Sequence, residues 1–270
     1  MRRIVKNSVF AAALAVPLLV FAAPGTGLLG TVHDFATGAD YMATQTDGAG
    51  VAVPGINSVG LCSYCHTPHS ALSTSLLWNH KLSANTFTWD DATTTGGTPY
   101  ATMAPTYKGP SVKCLSCHDG SIAIGDVALY MDKTNVVYNT FKLGTDSPAY
   151  TQIGKAGNMA GNHPVAMPYP FGNLSGTYNT KTTGGAVTLN EFVANPVNQN
   201  GTTVKLYNDN GTGGITGGAV AGKSGIECSS CHDVHNKVAV EDMLLRGKIN
   251  GSTAVAGVGG GYLCLQCHIK

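Results

Sequence analysis

The chain has 270 residues, a formal charge of +1 and only 11% charged side chains, against about 25% in an ordinary soluble domain. That length holds one or two domains, and a net charge near zero argues against nucleic acid as the main partner, because phosphate binding needs a basic face. With 43% apolar residues the chain is not disordered by composition, and its 35 Gly and 12 Pro follow no collagen period.

Arg2, Arg3 and Lys6 precede an apolar run from Ser8 to Ala23 that Pro17 interrupts. The run is shorter than the roughly 18–20 residues a bilayer span requires. Val20-Phe21-Ala22 is an acceptable cleavage site, so residues 1–22 are predicted to be a signal peptide. No later segment is long enough to span a membrane. The predicted mature chain, residues 23–270, is exported, either extracellular or on the cell surface, with the periplasm as the alternative.

All eight cysteines fall in four copies of one motif: Cys62-Ser-Tyr-Cys65-His66, Cys114-Leu-Ser-Cys117-His118, Cys228-Ser-Ser-Cys231-His232 and Cys264-Leu-Gln-Cys267-His268. C-x-x-C-H is the attachment signature of c-type haem. Two thiols one short turn apart reach the two vinyl positions on a porphyrin edge, and the next residue presents its imidazole to the iron. Four tight C-x-x-C loops would make a poor disulfide framework, since they join nothing distant. Zinc sites do not require His directly after the second Cys. A thioredoxin-like pair occurs once, in a βαβ setting. Histidine after four given C-x-x-C pairs has a chance on the order of one in a million. The expectation is four covalently attached haems, with His66, His118, His232 and His268 as proximal ligands.

Five histidines remain: His33, His69, His80, His163 and His235. They suffice to close every iron, and a closed bis-His iron suits electron transfer rather than substrate binding. His69 and His235 each lie three residues after a proximal His. Three residues extend only about 10 Å, too short to round a porphyrin and return over the same iron, so each can serve only a different haem. His163 precedes Pro164, which biases it towards an extended backbone. His33 lies near the predicted mature start, in His33-Asp34-Phe35. His33, His69, His163 and His235 are the distal candidates, and His80, after Trp78-Asn79, is the spare.

The first cysteines of successive motifs lie 52, 114 and 36 residues apart, so there is no fixed repeat. Residues 119–227 read as a Gly/Thr/Asn-rich insertion between motifs 2 and 3. Thr134–Leu143 and Thr202–Tyr207 alternate as short strands do, Asn208–Gly211 reads as a turn, and Val238–Arg246 as a helix of two turns. The predicted fold is a single loop-dominated multihaem cytochrome c domain. It has short helices at the haem motifs, a few short strands, and haems as its core at roughly one per 60 residues. Without Arg2, Arg3 and Lys6 the charge falls from +1 to −2. Propionates adding up to about −8 and four ferric irons returning about +4 would make the holo-protein acidic.

In its order of motifs the chain resembles the OmcE-like tetrahaem cytochromes, which polymerise into extracellular conductive filaments. The matching stretches are His33-Asp34-Phe35, Cys62–His69, Leu77-Trp78-Asn79, Cys114–Gly120, His163-Pro164-Val165 and Cys228–His235. The resemblance spans nearly all of residues 23–270 but is anchored in haem motifs that many multihaem cytochromes share. It implies a continuous haem stack, every iron bis-His, with one distal His supplied by the neighbouring subunit. By position that donor is His69, reaching the terminal haem at Cys264/Cys267 of the next chain, with His33 or His235 as other choices. The leading expectation is a filament-forming electron carrier that is not an enzyme and that serves redox proteins or extracellular acceptors. A discrete periplasmic shuttle is the alternative. A multihaem reductase with one open iron is a third reading, against which the surplus histidines and the lack of any C-x-x-C-K variant count.

Overall fold

The structure is a computed structural model that describes residues 23–35, 61–69, 71, 77–89, 102–130, 133–137, 142–144, 152–182, 188–199, 201–241, 243–249 and 262–269. The predicted signal peptide, 1–22, lies outside them. Helix α1, Pro110–His118, carries the second C-x-x-C-H motif. Gly109 at its N-cap is extended and Pro110 fills the first turn, where a missing N–H costs nothing. Gly120, at φ +73°, closes the far end. Helices α2, Cys228–Cys231, and α3, Leu263–Cys267, are single turns at motifs 3 and 4.

Strands β1, Asp126–Tyr130, and β2, Lys133–Val137, form an antiparallel hairpin. A second hairpin joins β4, Thr177–Tyr178, to β5, Lys181–Thr182. Its two connecting residues, Asn179 and Thr180, both have positive φ, as a tight right-twisted hairpin requires. The remaining strands are β3, Met167–Pro168; β6, Tyr207–Asp209; β7, Ile215–Gly217; and β8, Ser224–Ile226. They build one antiparallel sheet in the order β3-β8-β6-β7.

Three local expectations change. Only Tyr207 of the 202–207 run enters a strand; Thr203 N–H bonds Arg246 O at 2.7 Å and Lys205 N–H bonds Ser230 O at 3.4 Å. The alternation reflects buried Val204 and Leu206 rather than a ladder. The predicted strand over 134–143 begins at Lys133 and its described part ends at Val137. No helix forms over 238–246 among the described residues. Met243 and Leu244 have φ of 58° and 59°, left-handed values that a right-handed helix cannot include. The backbone groups turn back instead: Val240 N–H bonds Leu245 O at 2.8 Å, and Arg246 N–H bonds Cys231 O at 2.8 Å.

A polypeptide core also exists beside the motifs. Phe87, Met103, Val112, Leu115, Met159, Ala166 and Tyr178 are buried together, with Leu82 and Cys228 packed at their edge. A smaller group of Val204, Leu245 and Leu263 packs on Cys231 and Cys267. Residues 119–227 contribute to both groups, so this stretch is part of the body that seats motifs 2, 3 and 4. No helix among the described residues is long and apolar enough to cross a membrane.

Candidate functional site

Each C-x-x-C-H motif closes as a single turn. His66 N–H bonds Cys62 O at 2.8 Å, and His232 and His268 repeat that bond to Cys228 and Cys264 at 3.0 Å; motif 2 lies within α1. Residues i, i+3 and i+4 of a helical turn share one face. Both thiols and the imidazole of a motif therefore sit on the same side of the chain. Cys62 and Cys264 are exposed and the other six cysteines half-buried, and no two of them are joined as a disulfide.

All nine histidines are described, and six of them form three pairs. The rings of His66 and His235 are 6.2 Å apart with 21° between their planes. His33 and His118 are 6.1 Å apart at 68°, and His163 and His268 are 6.1 Å apart at 61°. An imidazole nitrogen binds a metal at about 2 Å and lies about 1.1 Å from its ring centre, so two imidazoles on one ion have centres about 6.2 Å apart. Each pair joins one proximal histidine to one distal candidate. His235 stands with His66 rather than with His232.

Local hydrogen bonds deliver the distal members. Asn236, next to His235, clasps the segment that leads to His33: its amide donates to Ala23 O and Gly27 O at 2.9 and 3.0 Å and accepts from Gly25 N–H at 3.0 Å. Buried Asp34 accepts Gly30 N–H at 2.7 Å and tightens the turn that carries His33. Burial, followed by His118, His232 and His235, lowers the His33 pKa to about 4, and its Nδ1 is buried without a partner. His163 Nδ1 lies 2.8 Å from Pro164 O, an arrangement that leaves Nε2 as the lone-pair nitrogen. The terminal motif is held from the 119–227 stretch and its flank: Tyr169 OH donates to Val193 O at 2.6 Å, and Phe192 lies 4.9 Å from the His268 ring.

His80 is built differently. It is 2% exposed, and its two ring nitrogens each face a carbonyl at 2.9 Å, Lys81 O and Ala123 O. Both carbonyls can only accept, so both nitrogens serve as donors and neither keeps a lone pair for a metal. Burial opposes the resulting charge, but Cys117, 3.6 Å away, and the two carbonyls raise the His80 pKa to about 9.

His69 and His232 stay separate. Both are exposed, and among the described residues neither has a second imidazole at the paired distance. His232 Nδ1 lies 3.0 Å from Met243 O, which again leaves Nε2 outward. His268 already has His163 beside it, whereas the proximal histidine lacking an imidazole partner is His232.

The motifs adjoin one another in chain order. Burial first, then Cys117 and Cys62, pushes the Cys65 thiol up to about 12, which places motif 1 beside motif 2. The Cys114 and Cys228 thiols hydrogen-bond each other, linking motif 2 to motif 3. Burial and Cys231 push Cys267 up to about 12, linking motif 3 to motif 4.

Among the described residues no group of three or more His, Cys, Asp or Glu side chains is arranged to hold a bare metal ion. What the site offers is pairs of imidazoles, each with a thiol pair one turn away, and that donor set fits a metal whose other ligands come from a macrocycle. No protein-family profile matches the chain, and no curated protein matches it.

Proposed function

We propose that this chain is a tetrahaem c-type cytochrome that carries electrons and assembles into an extracellular filament. The observation that carries the haem reading is the pairing of three proximal histidines with three distal ones at the spacing of a shared metal. Cys62/Cys65, Cys114/Cys117, Cys228/Cys231 and Cys264/Cys267 would hold four haems, which supply one-electron chemistry at iron. His66 with His235, His118 with His33, and His268 with His163 would hold the irons of motifs 1, 2 and 4 and leave no place there for a substrate. The motifs' adjacency supports a path that runs from one end of the chain to the other.

Assembly follows from the two histidines left over. His232 needs a second ligand for its iron, and His69 is an exposed imidazole with no second imidazole at the paired distance among the described residues. In this reading His69 of one copy closes the motif 3 iron of the next, and each joint is an iron–imidazole bond. The first experiment is electron microscopy and absorption spectroscopy of haem-loaded native protein and of His69→Ala. Native protein is expected as uniform fibres with all low-spin haem. His69→Ala is expected to keep four attached haems, show one high-spin iron, and remain monomeric. Intact fibres from the variant would remove His69 as the joint. A native monomer with four low-spin haems would mean that His69 reaches His232 within one chain, as in a discrete shuttle.

A further inference from the structure

Between motifs 2 and 3 lies a carboxylate for which neither haem attachment nor histidine ligation has a use. Glu227 directly precedes Cys228 and is 1% exposed. Every polar contact given for its side chain can donate to it. Tyr107 OH and Tyr178 OH reach Oε1, the latter at 2.6 Å, while Ser111 N–H and its hydroxyl reach Oε2 at 3.1 and 2.5 Å. The N–H of Ser230 completes a capping box at the start of α2. An ionised carboxylate only accepts; the Ser111 N–H can only donate and the three hydroxyls are free to donate, so the contacts suit that form.

The surroundings are shaped for these donors. A Cβ at Gly109 would lie 2.4 Å from the Tyr107 ring, and one at Gly225 would lie 2.3 Å from the Tyr178 ring. Any side chain at either position would displace a tyrosine from the carboxylate. Ser111 extends the contact, since its hydroxyl also accepts Cys228 N–H at 2.9 Å. Thus α1 and α2 meet through Glu227, at the same junction where Cys114 and Cys228 touch. Burial raises the Glu227 pKa; bonds from Ser111, Tyr107 and Tyr178 oppose that rise without cancelling it, and the donor set around both oxygens is what favours the ionised form. Lys113, buried on α1, and Tyr207, on β6, also face its field, Lys113 being the one cation among these groups.

We propose that Glu227 is a buried negative charge that lowers the potentials of the haems attached at Cys114/Cys117 and Cys228/Cys231 and leaves those of the other two in place. This rests on the haem reading above. Reducing one iron from Fe(III) to Fe(II) adds one electron and removes one positive charge from the site. A fixed anion beside the attachment point favours the oxidised form, and low dielectric makes that preference larger than in water. Motifs 2 and 3 would then be set apart from motifs 1 and 4, and Glu227 would bias electrons away from the middle of the row.

The test is a mediated redox titration of haem-loaded Glu227→Gln, after haem content is measured by pyridine haemochrome. Fewer than four haems in the unmutated protein would sink the tetrahaem reading itself. With four haems in both proteins, two of four components should move to higher potential by about tenfold in their reduction equilibrium, roughly 59 mV for one electron. The other two should stay in place. Four unmoved potentials, or four that move equally, would overturn the proposal. If Glu227→Gln loads poorly, Tyr107→Phe takes its place, because it withdraws one donor from the carboxylate. A shift confined to two components then supports the proposal, and no shift overturns it.

Discussion

His80 and His163 differ in what their ring nitrogens touch. Each of the two nitrogens of His80 lies against a carbonyl, whereas only Nδ1 of His163 is so engaged. Replacing His163 by Ala should leave four haems attached and open one iron, seen as a high-spin band and as carbon monoxide binding to the reduced protein. His80→Ala should leave every iron closed and act through stability instead, because two buried carbonyls lose their donor at about 1–3 kcal/mol each. Carbon monoxide binding by His80→Ala would reassign His80 as a ligand. The four C-x-x-C-H turns were legible in the sequence, since a strict spacing names them. The distal partners were legible only as a set. The wrap-around limit argued against His235 serving its own motif but could not choose His66, a partner 169 residues earlier in the chain.

At the level of elements, the 238–246 segment shows why an apolar rhythm misled. Its backbone groups return to motif 3, and Arg246 crosses beneath that turn to donate to Ser229 O at 3.0 Å, His232 O at 3.1 Å and Asp233 Oδ1 at 3.3 Å. Both charged side chains are 7% exposed. Replacing Arg246 by Met should therefore cost about 3–5 kcal/mol, because it strands the Asp233 carboxylate away from water. Adding Asp233→Asn should recover part of that loss, although Asp233 also anchors Val238 N–H at 2.7 Å. Thermal melts of the two variants measure both effects, and additive losses would show that the pair is not coupled. Tertiary tethers of this kind leave no periodic trace, and for the same reason 119–227 reads as an insertion when Tyr169 and Phe192 hold the last motif.

Across the whole molecule, the three histidine pairs are not alike. In the first motif the ring planes are within 21° of each other, and in the second and fourth they are turned by 68° and 61°. Two imidazoles in nearly the same plane donate into one iron dπ orbital and split it from its partner. Two crossed imidazoles donate into both orbitals and leave them almost degenerate. Electron paramagnetic resonance of the oxidised protein should therefore show at least two kinds of low-spin iron: a rhombic signal from motif 1, and broad signals of large g from motifs 2 and 4. A single uniform rhombic signal would contradict these ring angles. In the haem reading, the angle between each pair of imidazole planes would set the magnetic anisotropy of the iron they share.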